Sequence, residues 1–86
     1  VKGRVVDQVS QSALIGANIL LVNAADSTKR FETVTDSLGD FVLKNIPKSN
    51  YRLMASLKDY ITSNQQISLT DAGADLGKIE MKFNLL

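Results

Sequence analysis

Residues 33–53, TVTDSLGDFVLKNIPKSNYRL, constrain the fold more than any other stretch of the chain. Apolar and polar residues alternate on both sides of Asp36-Ser37-Leu38-Gly39, with the period of a half-buried strand. Asp36 is suited to bond its own downstream backbone, and Gly39 takes a positive φ at no steric cost. A second turn, carried by Pro47, follows within 46–50. Strand, turn, strand, proline turn, strand is the grammar of a small antiparallel sheet. None of these residues is spent on chemistry.

The rest of the chain repeats that grammar. Alternation predicts strands over 1–7, 17–23, 30–35, 39–44, 51–57, a segment within 61–69, and 76–83. Val1, Gly3 and Val5 share a face, with Lys2 and Arg4 opposite. The first strand is expected at a sheet edge, where Lys2 and Arg4 discourage self-association. Ala17, Ile19 and Leu21 face inward on the second strand. Leu20 and Val22, apolar on its other face, imply a cover there. The third strand sets Phe31, Thr33 and Thr35 against Glu32 and Val34. Phe41 and Leu43, then Tyr51, Leu53, Ala55 and Leu57, then Ile67 and Leu69, then Ile79, Met81 and Phe83 extend the inward set. Leu14 and Ile15 are expected to cap the open end of the core, with Gly16 marking re-entry into the sheet. Leu76 is out of register and predicts a bend at Gly77. No segment has a helical period; residues 70–74 could form a single turn at most. Seven short strands at about ten-residue spacing predict an all-β, seven-stranded antiparallel β-sandwich. Its core is expected to contain Val5, Ile19, Leu21, Phe41, Leu43, Leu53 and Ile79.

Composition narrows the function classes. Eighty-six residues make one domain, 1–86, with a single core and no deep pocket. The net charge is +1 and the basic residues are interleaved with acids, which argues against nucleic acid as a partner. With neither cysteine nor histidine, thiolate metal sites, disulfides and the commonest general base are all missing. The apolar run at 19–22 is too short to span a bilayer, so no direct membrane insertion is expected. The sequence starts at Val1 and reads as a fragment of a longer chain. A missing leader is then no argument against export.

Candidate sites are few. Asp36 and Asp40, with Glu32 and Asp26, are weak Ca²⁺ candidates, since hard cations take oxygen ligands. The spacing lacks the ligand series of an EF-hand loop, and turn chemistry accounts for Asp36. Asp71 and Asp75 form a possible acid–base pair but sit in a polar loop with nothing apolar to shift them. Ser56 and Lys58 are formally a Ser-Lys dyad without any other sign of an active site. Tyr51 is placed to bond backbone through its hydroxyl, as in a tyrosine corner; Tyr60 reads as packing. No catalytic residue, cofactor site or strong metal site is expected.

The segments VKGRVVD (1–7), LIGANILLVNAADST (14–28), TVTDSLGDFVLKNIP (33–47), YRLMASLKDY (51–60) and DLGKIEM (75–81) occur in this order and spacing. Together they resemble the carboxypeptidase regulatory-like domain, a prealbumin-like (transthyretin-like) β-sandwich with Ig-like Greek-key strands. The version with NAADST after the second strand is most similar to copies found in front of TonB-dependent receptor-like outer-membrane barrels of Gram-negative bacteria. The resemblance implies an exported, non-catalytic accessory module at the periplasmic face of the outer membrane or the cell surface. Its partner would be an adjacent plug or barrel domain or another envelope protein, and the isolated domain would be a monomer. An alternative is an extracellular carbohydrate- or protein-binding module. One departure stands out. Such domains usually carry Gly-Tyr after the fifth strand, where this chain has Asp59-Tyr60; aspartate tolerates a left-handed turn better than most residues. Transthyretin-fold hydrolases use histidines, and this chain has none, so the fold brings no activity with it.

Overall fold

The computed structural model describes residues 1–70 and 75–84. They form seven strands and no helix: β1 (Lys2–Asp7), β2 (Asn18–Asn23), β3 (Arg30–Val34), β4 (Asp40–Val42), β5 (Ser49–Ser56), β6 (Ser63–Leu69) and β7 (Asp75–Met81). One sheet has the order β4-β1-β7, the other β3-β2-β5-β6. The expected β-sandwich is present, and all seven expected core residues are buried. Ala17, Ala55, Tyr51, Leu69 and Met81 join them between the sheets.

Two features of topology differ from a uniformly antiparallel sandwich with β1 at an edge. β1 lies in the middle of its sheet, between β4 and β7. Its pairing with β7 is parallel, from Lys2 opposite Asp75 to Asp7 opposite Met81. The first and last strands therefore run in the same direction. The bend at Gly77 is real. Two steps on β1, Lys2 to Arg4, face three on β7, Asp75 to Lys78. Gly77 takes the extra residue at φ 68°, a backbone region that suits glycine.

Local chemistry shortens or redirects other elements. β4 keeps three residues after Gly39, which sits at φ 75°; beyond it Leu43 exchanges both backbone bonds with Val1 before the chain turns at Asn45, φ 60°. A Cβ on Gly39 would lie 2.7 Å from the Val5 carbonyl oxygen. β5 starts at Ser49, so the proline turn is tighter than 46–50. Leu14 is buried, whereas Ile15 points out and is 62% exposed. Leu14 alone fills the end of the core, and Thr35 pins the loop beside it. Its hydroxyl donates to the Leu14 carbonyl (2.6 Å) and accepts from the Ala17 N–H (2.8 Å). β7 ends at Met81, and Phe83 leaves the core face to meet Tyr60. Leu57 and Ile67 are only partly buried. Leu20 and Val22 are half-buried on the outer face of their sheet.

Candidate functional site

The Asp36–Gly39 turn is built as its residues dictate. Asp36 Oδ1 accepts from the N–H of Leu38 (2.9 Å) and of Asp40 (3.0 Å), and the Gly39 N–H closes on the Asp36 carbonyl (3.0 Å). Asp40 points elsewhere. Arg4 Nε donates to its Oδ1 at 2.8 Å and Nη2 to Oδ2 at 3.3 Å. Arg4 holds the Asp40 carboxyl below the usual range. The two Ca²⁺ candidates are therefore a turn cap and an ion-pair partner. Asp26 and Asp36 flank opposite ends of β3, so they do not converge, and Glu32 lies on β3 in the other sheet from Asp40. Among the described residues no three His, Cys, Asp or Glu side chains gather as a metal site.

The remaining candidates resolve similarly. Asp71, with most of the 70–74 turn, lies outside the described residues. Asp75 Oδ1 accepts from the Gly77 N–H at 2.8 Å, serving the bulge. Ser56 is half-buried at the end of β5, and Lys58 is exposed in the following turn. Tyr51 is buried, and its hydroxyl donates to the Pro47 carbonyl at 2.7 Å, the expected backbone corner. Its ring meets Phe31 edge-on at 6.3 Å. Asp59 does adopt the left-handed conformation, φ 71°, in the place of glycine.

Three groupings escaped the sequence reading. At one end of the sandwich the Tyr60 hydroxyl donates to Asp7 Oδ2 at 2.6 Å, and the ring packs edge-on against Phe83 at 5.3 Å. Asp7 Oδ1 also accepts from the N–H of Val9 and Ser10. The Tyr60 hydroxyl, then these amides, hold the Asp7 carboxyl low; the same bond raises Tyr60. Asn23 is buried and accepts from the N–H of Ala25 and Asp26, while its amide donates to Ser49 Oγ. Gln11, at φ 61°, donates to Glu80 and accepts from Lys78 on the outer face of the three-stranded sheet. The available signals were two local Asx-turn patterns, the Asp-Gln-Val-Ser run at 7–10 and the Asn-Ala-Ala-Asp run at 23–26. The other partners are distant in sequence.

Open hollows lie on the faces. One of about 450 Å³ is lined by Lys2, Arg4, Asp40, Val42, Asp75 and Lys78, together with the backbone of β1 and β7 glycines. Another of about 300 Å³ is lined by Val22, Ser27, Tyr51, Arg52, Met54 and Gln66, among others. The titratable groups that shift do so away from neutral pH: Asp7, Asp26 and Asp40 are held ionised, Tyr60 protonated. General acid–base work needs groups moved toward the operating pH. Asp7, Asp26 and Tyr60 hold turns and loops, and Asp40 ties β4 to β1.

The carboxypeptidase regulatory-like domain model matches residues 1–82. The chain belongs to this family. No curated protein matches the sequence. Among solved structures, the carboxypeptidase regulatory-like domain described here is similar to the major pilin subunit of Bacillus cereus, BcpA, with a TM-score of 0.68 at 15% identity. The match covers 93% of this chain and 28% of the pilin chain. At that identity the likeness is one of fold. In this carboxypeptidase regulatory-like domain, the side chains just described tie turns to strands.

Proposed function

We propose that this domain is a non-catalytic interaction module of a larger exported cell-envelope protein. The observation that carries the reading is the family match across 1–82. The geometry supports it, because the perturbed side chains each serve a turn, a cap or an ion pair. The pilin likeness adds a precedent for such a sandwich as a minor part, 28%, of a longer surface protein. The parent we propose is a TonB-dependent receptor-like outer-membrane protein, with this domain in the periplasm ahead of the plug. The NAADST segment at 23–28 supports that setting through its resemblance to such copies. In this role the isolated domain is a monomer, and it docks an adjacent domain or envelope partner.

Deleting the domain from the full-length parent tests the reading. Loss of uptake, assembly or partner binding, with the rest of the parent still folded, is the expected result. A deletion that leaves all three unchanged would overturn it.

A further inference from the structure

Each sheet has two outer strands, and open edges invite pairing unless something blunts them. Three of the four are blunted. β4 is three residues long. β3 carries Arg30 and Glu32 within five residues. β7 has the Gly77 bulge, Lys78 and Glu80. β6 has no such device. It runs seven residues, Ser63–Leu69, in unbroken register with β5, and contains no charge, proline or glycine.

The direction of its backbone groups follows from the ladder. The Ala24 N–H donates to the Asn50 carbonyl, so Asn50, Arg52 and Met54 turn their backbone groups toward β2. Tyr51, Leu53 and Ala55 then turn toward β6, where they meet Ile67, Gln65 and Ser63. Asn64, Gln66 and Ser68 are left with N–H and C=O aimed away from the sheet. No other described segment bonds to them. On the core-facing side of β6 the three-stranded sheet gives incomplete cover: Gln65 is exposed and Ile67 half-buried.

We propose that β6 is the docking edge of the domain, and that its occupant is an extended segment of another polypeptide, which joins the β3-β2-β5-β6 sheet as a fifth strand. This rests on the module reading above. The segment carries apolar residues beside Gln65 and Ile67, completing the cover of Ile67, and uncharged polar residues beside Asn64, Gln66 and Ser68. A second folded copy fits less well. Seven residues make an edge only about 23 Å long at ~3.3 Å per residue. Edge-on association over that length falls well short of the roughly 800 Å² per partner of a stable interface. An extended segment held nearby by the parent protein or complex gains effective concentration instead.

The test titrates the isotope-labelled 86-residue domain with a synthetic peptide of alternating threonine and valine, flanked by lysines for solubility. Shift changes and slowed exchange at the amides of Asn64, Gln66 and Ser68 are expected, with Lys2, Arg4 and Val42 unaffected. Gln66→Pro removes one outward N–H and leaves the β5 ladder intact. It should weaken binding at least tenfold while circular dichroism and melting stay close to the original. Gln66→Lys keeps the backbone and guards the edge with charge, so it should weaken binding even if the proline variant folds poorly. No binding at millimolar peptide, shifts that map to a sheet face, unchanged binding by Gln66→Lys, or a micromolar β6-mediated dimer would each overturn the proposal. In the parent, partner binding that domain deletion abolishes but both Gln66 variants retain defeats the edge and spares the module reading. A deletion without effect defeats the module reading itself.

Discussion

Tyr60 donates to Asp7 across 53 positions of sequence, at 2.6 Å, and so fastens the turn after β5 to the end of β1 in the opposite sheet. The bond fixes the sign of a pH dependence. Asp7 is held below its ordinary 3.8, so its stabilising share is present above that value and is lost as pH falls through the folded value. Tyr60 is raised above 10.0, so its share is present below that and is lost as pH climbs through the raised value. Melting temperature should be level through neutral pH, then drop below about pH 4, with Asp26 and Asp40 adding to the acid limb. Asp7→Asn should flatten part of that limb in a melting series across pH.

Core packing supplies a second expectation. Leu53 is 1% exposed between the sheets. Leu53→Ala should cost roughly 2–5 kcal/mol through lost transfer energy and the cavity left behind. Tyr51→Phe keeps the ring and strands the Pro47 carbonyl, for about 1–3 kcal/mol. Urea unfolding of both variants measures this; a Tyr51→Phe variant as stable as the parent would show that the corner bond is dispensable.

Backbone conformation sets a third. Gly39→Ala places a Cβ against the Val5 carbonyl at φ 75° and should cost more than the ~1–2 kcal/mol of a left-handed residue alone. Asp59→Gly, at φ 71°, should be neutral or raise the melting temperature, whereas Asp59→Val should lower it. Thermal melts should place Asp59→Gly highest, with Gly39→Ala and Asp59→Val both below the unaltered domain.

Calcium supplies a fourth. Asp36 spends its carboxylate on Leu38 and Asp40 amides, and Asp40 spends its own on Arg4. Millimolar Ca²⁺ should leave the melting temperature unchanged. A rise of several degrees, reversed by EDTA, would show that the two carboxylates can be recruited from those partners.

What the sequence revealed was set by how local each feature is. The Asp36–Gly39 turn, the Tyr51 corner and the left-handed Asp59 depend on chemistry within four residues, and each is legible. Thr35 reads as an inward strand residue, but that its hydroxyl bridges Leu14 and Ala17 depends on how two distant segments meet. The same holds for Asn23 with Ser49, and for Tyr60 with Asp7. Alternation runs on through Phe83 although the sheet stops at Met81, so period alone overextends β7. Leu14 and Ile15 are equally apolar, and only the path of the loop decides which turns inward. Strand order is the least local property of all, which is why β1 reads as an edge and is found in the centre.

That central place has a consequence for when the domain can form. β1 is made first, yet one of its two neighbours is the last strand of the sandwich. The β2-β3 and β5-β6 hairpins are available as soon as each has been synthesised, but the β4-β1-β7 sheet cannot close until Met81 is free to pair with Asp7. Folding should therefore be slow for a chain of this size, limited by the entropy of joining its extremes. A nascent chain halted before β7 should hold β1 open along one side and bind chaperones that recognise unpaired strands.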